Sequence, residues 1–261
     1  MQRFSWAAGF VAASVAGCTG PIDGTLETHE LGASSVEQVY HLTVFVPDDT
    51  PHHVVFLFDG DDWTDTTASQ VSRAVRRGEL GRPPLVVGIG YGDTPNQRAR
   101  DYTPPGRGLP EGHGEVEAFY GFVVDELIPW VEARYPSGGE RVVLGHSFGG
   151  IAALWGRLQH PEVFAGAVAL SPSLAFGDGA LFAVEQEVAA TTDDLGGALF
   201  LGAGTAETYG LAGLTEAFGE QVQRRRYPTL QLTTELFPRR VHSETFQPGV
   251  RAGLPFVLEA L

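Results

Sequence analysis

A serine with a glycine on either side, one residue removed, stands in Gly145-His146-Ser147-Phe148-Gly149, and Gly150 follows. The spacing Gly-x-Ser-x-Gly has a mechanical meaning. Where a strand turns sharply into a helix at the serine, the hydroxyl is pushed clear of the sheet edge, and the glycines remove the side chains that would collide there. The flanks agree with that turn. Arg141-Val142-Val143-Leu144 is a short apolar run of the kind found in a buried parallel strand. The run from Gly150 to about Leu158 reads as a helix, stopped at His160-Pro161 because proline has no N–H and disfavours a helical residue before it.

A serine hydroxyl is a weak nucleophile until a base removes its proton, and the base needs an acid to fix its tautomer. In chains with this elbow the order is serine, acid, histidine. Of the eight histidines only His160 and His242 follow the serine. His160 ends the elbow helix and reads as a cap or surface residue. His242 lies in the loop after the last predicted strand, where the base belongs. Glu207, a few residues past Leu201 in a glycine-containing loop, is the expected acid. Asp178, Asp193 and Asp194 precede that strand, and Glu216 reads as a helix-face residue. The oxyanion formed during acyl transfer needs two backbone N–H groups. Phe148, after the nucleophile, is one expected donor. The loop Asp59-Gly60-Asp61 is the expected source of the other, with Gly60 and Asp61 both open as the donor. Asp59, Asp61, Asp62 and Asp65 lack a histidine or second carboxylate cluster at metal-ligand spacing, so no metal or cofactor is expected.

The elements that must position these residues alternate. The patterning predicts strands at 39–46, 53–58, 85–90, 141–144, 164–170, 198–202 and 230–237. It predicts helices at 68–77, 115–134, 150–158, 180–190, 211–225 and 248–261, with a kink in the second at Pro129. Residues 96–109 read as a proline- and glycine-rich loop. Such alternation implies an α/β class: a mostly parallel sheet covered on both faces by helices, with active groups at the carboxyl ends of the strands. With the elbow, this is the α/β-hydrolase fold.

The length of 261 residues allows one large core. A net charge of −15 argues against nucleic acid as a partner and against binding to anionic membranes by charge. One cysteine, Cys18, excludes an internal disulfide. Residues 1–17 read as a signal peptide, with Arg3 as the basic start and an apolar stretch from Trp6 to Val15. Val15-Ala16-Gly17-Cys18 resembles a bacterial lipobox, in which the cysteine is acylated and heads the mature chain. Two or more acyl chains would hold the domain stably at a membrane. The expected organisation is therefore a leader at 1–17, a tether at 18–28 and a hydrolase domain at 29–261, lipid-anchored in the cell envelope and facing the periplasm or exterior.

Several segments together resemble the esterase family of α/β-hydrolases that includes trilactone siderophore esterases. They are Phe56-Leu57-Phe58-Asp59-Gly60-Asp61, Arg98-Ala99-Arg100-Asp101-Tyr102-Thr103-Pro104, Glu126-Leu127-Ile128-Pro129, the elbow through Gly150, Ser171-Pro172-Ser173, Gly204-Thr205-Ala206-Glu207 and His242. The resemblance implies Ser147, His242 and Glu207 as the triad, and the Pro129 kink as a family feature. One departure is Ala175-Phe176 where such proteins carry bulky aromatics. Tyr91, Arg98, Tyr102, Phe148 and Phe176 are the expected pocket walls. The net charge of −15 does not support an anionic, catechol-bearing ligand. The expected activity is hydrolysis of a small-molecule carboxylic ester through an acyl-enzyme. Acyl transfer to a sugar or lipid, and a non-catalytic binding lipoprotein, are the competing readings.

Overall fold

Short β-branched runs supply a sheet whose faces are both covered. The computed structural model describes residues 20–106 and 109–261. Eight strands form one sheet: β1 (Gly24–Ala33), β2 (Gln38–Pro47), β3 (Val54–Phe58), β4 (Leu85–Gly90), β5 (Arg141–His146), β6 (Gly166–Leu170), β7 (Ala198–Gly204) and β8 (Gln231–Phe237). Their order is β1-β2-β4-β3-β5-β6-β7-β8. β1 and β2 are antiparallel to their neighbours, and every pairing from β4 through β3 to β8 is parallel.

The central strand β3 explains the layering. Its residues alternate between faces, as the two-residue period of a strand requires. Phe56 and Phe58 join one apolar cluster, and Val55 and Leu57 join the other. The first cluster takes in α3 (Val116–Phe122), α5 (Phe148–Gln159), α6 (Ala180–Ala189) and α7 (Leu211–Arg225) through Phe119, Leu154, Leu181 and Phe218. The second takes in α1 (Gly60–Arg76) and α8 (Phe246–Glu259) through Val71 and Val250. A continuous apolar run such as Val54–Phe58 is stable only when both faces are buried in this way.

The structure departs from the sequence reading at four places. Residues 24–28, expected in the tether, are the first half of β1, with Gly24 opposite Pro47 and Thr28 opposite Thr43. β1 is a half-exposed edge strand, so its residues carry no hydrophobic alternation that reads as a strand. Helix α1 begins at Gly60 rather than 68. Its first turns are polar because Asp61 and Asp62 sit at the positive end of the helix dipole and the Thr64 hydroxyl bonds the Gly60 carbonyl. The helix expected at 115–134 holds a π turn, Val123–Leu127, between α3 and α4 (Ile128–Glu132). Pro129 has no N–H and its ring crowds the carbonyl four residues back, so the backbone widens just ahead of it. Within the expected loop, Arg98–Asp101 forms a single helical turn, α2, numbered here by its place in the chain. The expected leader 1–17 and the acylation site Cys18 lie outside the described residues. Among the described residues, no helix is long and apolar enough to cross a membrane.

Candidate active site

β5 delivers the elbow at its carboxyl end. Ser147 has φ 61° and ψ −118°, a strained conformation for a residue with a side chain, and α5 starts at Phe148. The turn is possible because its flanks are bare: a Cβ on Gly145 would lie 2.1 Å from the Gly149 carbonyl oxygen. Three backbone hydrogen bonds hold the strained residue: Ser147 N to the Leu170 carbonyl at 2.9 Å, and Ser173 N and Ile151 N to the Ser147 carbonyl, both at 3.2 Å. The Ser147 Oγ lies 3.2 Å from Ser173 Oγ. Among the described residues it makes no hydrogen bond to His242.

His242 stands on a short helical turn, His242–Glu244, beyond β8. Its Nδ1 is 2.7 Å from Glu207 Oε2. Glu207 follows β7, and its carboxylate is fully buried. The other oxygen, Oε1, accepts from Ser171 Oγ at 2.7 Å and from Gly204 N at 2.5 Å. Burial alone would raise the Glu207 pKa, but the bonds from His242, Ser171 and Gly204 outweigh it and hold the carboxyl below its ordinary range. The residue is therefore an anion, and it accepts a hydrogen bond from His242 Nδ1–H.

A second histidine supports the first. His146, 7% exposed, lies against the His242 ring, tilted 42° to it with centroids 4.5 Å apart. Burial, then the neighbouring His242, push its pKa down to about 4. It is neutral, and its Nε2–H donates to the His242 carbonyl at 3.0 Å and toward Thr245 Oγ1 at 3.1 Å. Thr245 Oγ1 is 2.6 Å from Ser171 Oγ, which closes a network from the elbow to Glu207.

The loop between β3 and α1 comes against the elbow. A Cβ on Gly149 would lie 3.2 Å from both Asp59 Oδ2 and Phe58 Cβ. The Asp59 carbonyl takes the Asp62 and Trp63 amides, at 3.1 and 3.2 Å. The amides of Gly60, Asp61 and Phe148 donate to no other described group, as expected for first-turn N–H groups. The aspartates of this loop point to different partners rather than to one another. Asp59 pairs with Arg98 at 2.9 Å. Asp61 pairs with His41 Nδ1 at 2.7 Å and accepts the amides of Tyr91 and Gly92 at 2.6 and 2.9 Å.

Of the expected pocket walls, Tyr91 and Tyr102 are placed elsewhere. They are 4% and 0% exposed, inside the core. The Tyr91 hydroxyl donates to buried Asp101 at 2.8 Å, and the Tyr102 hydroxyl accepts the Asp59 amide at 3.2 Å. Aromatic rings in a loop gave no sign of which way they turn. Phe176 packs edge-on to Phe148 at 5.4 Å and stacks with His113 at 5.7 Å, and Arg98 lies 5.4 Å from the Phe148 ring. The sequence assigns no site role to His113, His146, Ser171, Ser173 or Thr245, although His146 lies in the elbow and Ser171-Pro172-Ser173 is among the segments that carry the resemblance.

The site thus joins a serine at a strained elbow, an imidazole fixed by a buried carboxylate, and amides with no acceptor of their own. On an eight-stranded, mostly parallel sheet, these features define an α/β-hydrolase. The family model described as Putative esterase matches residues 33–243, and the chain belongs to that family. Ferri-bacillibactin esterase BesA of Bacillus subtilis is 31% identical over 174 residues, covering 59% of this chain and 60% of the relative. A siderophore triacetylfusarinine C esterase of Aspergillus fumigatus is 30% identical over 131 residues, covering 48% of this chain and 45% of the relative. The chain thus spans about half to three-fifths of the length of these two curated relatives. Among solved structures, the BES protein from Bacillus cereus shares the fold with a TM-score of 0.81 at 19% identity, over 94% of this chain and 99% of that one.

Proposed function

We propose that the chain is a serine carboxyl-ester hydrolase acting on a small-molecule ester through Ser147, His242 and Glu207. The observation that carries the proposal is the 2.7 Å bond from His242 Nδ1 to a fully buried Glu207 carboxylate, beside the Ser147 elbow. With Nδ1–H committed to Glu207, Nε2 is the base. The Ser147 hydroxyl gives its proton to Nε2 as the oxygen attacks the ester carbonyl carbon. The carbonyl π pair moves to oxygen, and the oxyanion is met by the amides of Phe148 and of Gly60 or Asp61. Collapse expels the alcohol, which takes the proton from His242, and leaves an acyl-Ser147. Water, deprotonated by His242, then attacks the acyl carbon; the acid leaves and the proton returns to Ser147. Glu207 stays ionised throughout and stabilises the imidazolium.

The relatives' names support ester hydrolysis as the reaction class. Anchoring through an acylated Cys18 in the cell envelope is part of the same proposal and rests on the lipobox-like Val15-Ala16-Gly17-Cys18. Hydrolysis of p-nitrophenyl acetate and butyrate by wild type and Ser147→Ala tests the chemistry. A kcat loss of about 10⁴-fold or more is expected, because the triad acts as a unit. Undiminished turnover by Ser147→Ala would remove the mechanism. Cys18→Ala should move the protein out of the membrane fraction; continued membrane attachment would count against the anchor.

A further inference from the structure

Arg98 has an unusual set of partners. Its Nε donates to Asp59 Oδ1 and its Nη2 to Asp59 Oδ2, both at 2.9 Å. This is the fork-on-carboxylate geometry that fixes orientation as well as charge. The same guanidinium lies 5.4 Å from the ring of Phe148 and 5.8 Å from that of Tyr102. Asp59 directly precedes the Gly60 and Asp61 amides, and Phe148 carries the amide after the nucleophile. One side chain therefore touches the residues governing both halves of the oxyanion hole.

Asp59 needs holding. It has φ 55° and ψ 46°, a left-handed conformation sparsely used by residues with a side chain. Its amide is held as well, by the Tyr102 hydroxyl at 3.2 Å. Arg98 and Tyr102 both belong to the segment around α2, and that segment is pinned in turn. Asp101, 0% exposed, accepts from Tyr40, Tyr91 and Arg100 at 2.7, 2.8 and 2.7 Å. A carboxylate gripped at both oxygens also neutralises the guanidinium, so Arg98 offers no uncompensated charge to an anionic substrate.

We propose that the Arg98–Asp59 pair is a positioning clamp for the oxyanion hole, setting the Gly60 and Asp61 amides against that of Phe148, and is not a substrate-binding cation. The inference rests on the serine-hydrolase reading above. It separates Arg98 from the pocket wall that the sequence placed it in, and assigns a task to Asp59 and Tyr102.

The test uses Arg98→Gln, Arg98→Lys and Asp59→Asn in the full chain, with a neutral ester (p-nitrophenyl acetate) and an anionic one (mono-p-nitrophenyl succinate). The clamp predicts that Arg98→Gln and Asp59→Asn each lower kcat by about 10²-fold, the scale of a lost oxyanion donor. KM should stay within a few-fold, and the ratio between the two esters should stay that of wild type. Inactivation by a fluorophosphonate, whose phosphoryl oxygen occupies the same hole, should slow by a similar factor. Arg98→Lys should recover only part of the loss, because an ammonium cannot grip both carboxylate oxygens. The double variant Arg98→Gln/Asp59→Asn should be no worse than either single change. A loss confined to KM for the anionic ester would make Arg98 a substrate-binding residue and overturn the clamp. If Arg98→Gln does not fold, Tyr102→Phe, which removes only the acceptor for the Asp59 amide, should show the same kcat-only loss, and a wild-type kcat there would overturn the proposal. Ser147-dependent turnover that survives all these substitutions refutes the clamp alone. Absence of Ser147-dependent turnover in wild type refutes the hydrolase reading and the clamp with it.

Discussion

Replacing Glu207 by glutamine should cost far more activity than its change in size or shape implies. Oε1 of Glu207 faces two donors, Ser171 Oγ–H and Gly204 N–H, at 2.7 and 2.5 Å. A glutamine placed there must put its carbonyl oxygen toward those two, because an NH₂ would meet the Gly204 N–H head-on. Its NH₂ then faces His242 Nδ1 at the position where the carboxylate oxygen stood 2.7 Å away. A donor at that place requires a lone pair on Nδ1, so the proton moves to Nε2 and the imidazole can no longer act as base toward Ser147. The equivalent tautomer trap in a serine protease triad lowers kcat about 10⁴-fold, or about 5 kcal/mol at 1.36 kcal/mol per decade. The assay is kcat on p-nitrophenyl acetate at pH 7.5, with the fluorophosphonate labelling rate as a second readout and the melting temperature as a control for folding. The buried polar atoms remain paired, so the melting temperature should change little. A Glu207→Gln enzyme within tenfold of wild type would refute the tautomer argument and the assignment of Glu207 as the acid.

Further outcomes follow from the same network. His146 is buried neutral, with its pKa lowered from 6.5 to about 4. The unfolded chain then binds a proton that the folded chain refuses, so stability falls as pH drops from about 6.5 to 4, by on the order of 3 kcal/mol. His146→Gln should flatten that slope in urea titrations across this range; an unchanged slope contradicts the assignment. The His41–Asp61 pair has the opposite sign at its alkaline end. Hydrogen bonding to Asp61 raises the His41 pKa, and the bonds from His41 and two amides outweigh burial to lower that of Asp61. Its contribution is greatest between the unfolded pKa values of about 4 and 6.5, and is lost as pH rises through the raised His41 value. The stability gap between wild type and His41→Asn should therefore be largest near pH 5 and shrink by pH 9. Asp101→Ala leaves Tyr40, Tyr91 and Arg100 without their shared buried acceptor. It should lower stability by about 3–5 kcal/mol, read by chemical denaturation, and a loss under 1 kcal/mol would contradict the role of Asp101 as the anchor of α2.

Which parts of this molecule could be read from sequence follows from whether the signal was local. The elbow is local: a strand run, two glycines and a helix run stand side by side, so Ser147 could be placed at once. His242 and Glu207 could be named as candidates because they follow strand ends in a fixed order, and the structure brings them within 2.7 Å of each other. The clamp was not reachable, since Arg98 and Asp59 lie 39 positions apart and neither sits in a periodic element. Without its partner, Asp59 reads as one of several loop carboxylates and Arg98 as a pocket wall. The same holds for Tyr91 and Tyr102, whose burial depends on Asp101 and the Asp59 amide rather than on any pattern in their own loop. β1 escaped because a half-exposed edge strand needs no apolar alternation; its pairing to β2 supplies the backbone partners. The early start of α1 was hidden for a related reason, since its first turn is polar, with Asp61 and Asp62 exposed.

In the proposed mechanism Ser147 becomes covalently acylated under the control of His242 and Glu207. The most direct measurement is intact-mass and peptide mapping of the enzyme quenched during turnover of a slow p-nitrophenyl ester. One acyl group is expected on the peptide bearing Ser147, formed with a burst of p-nitrophenol, strongly slowed in Glu207→Gln and absent in Ser147→Ala. Steady ester hydrolysis with the acyl group on a different residue would contradict it.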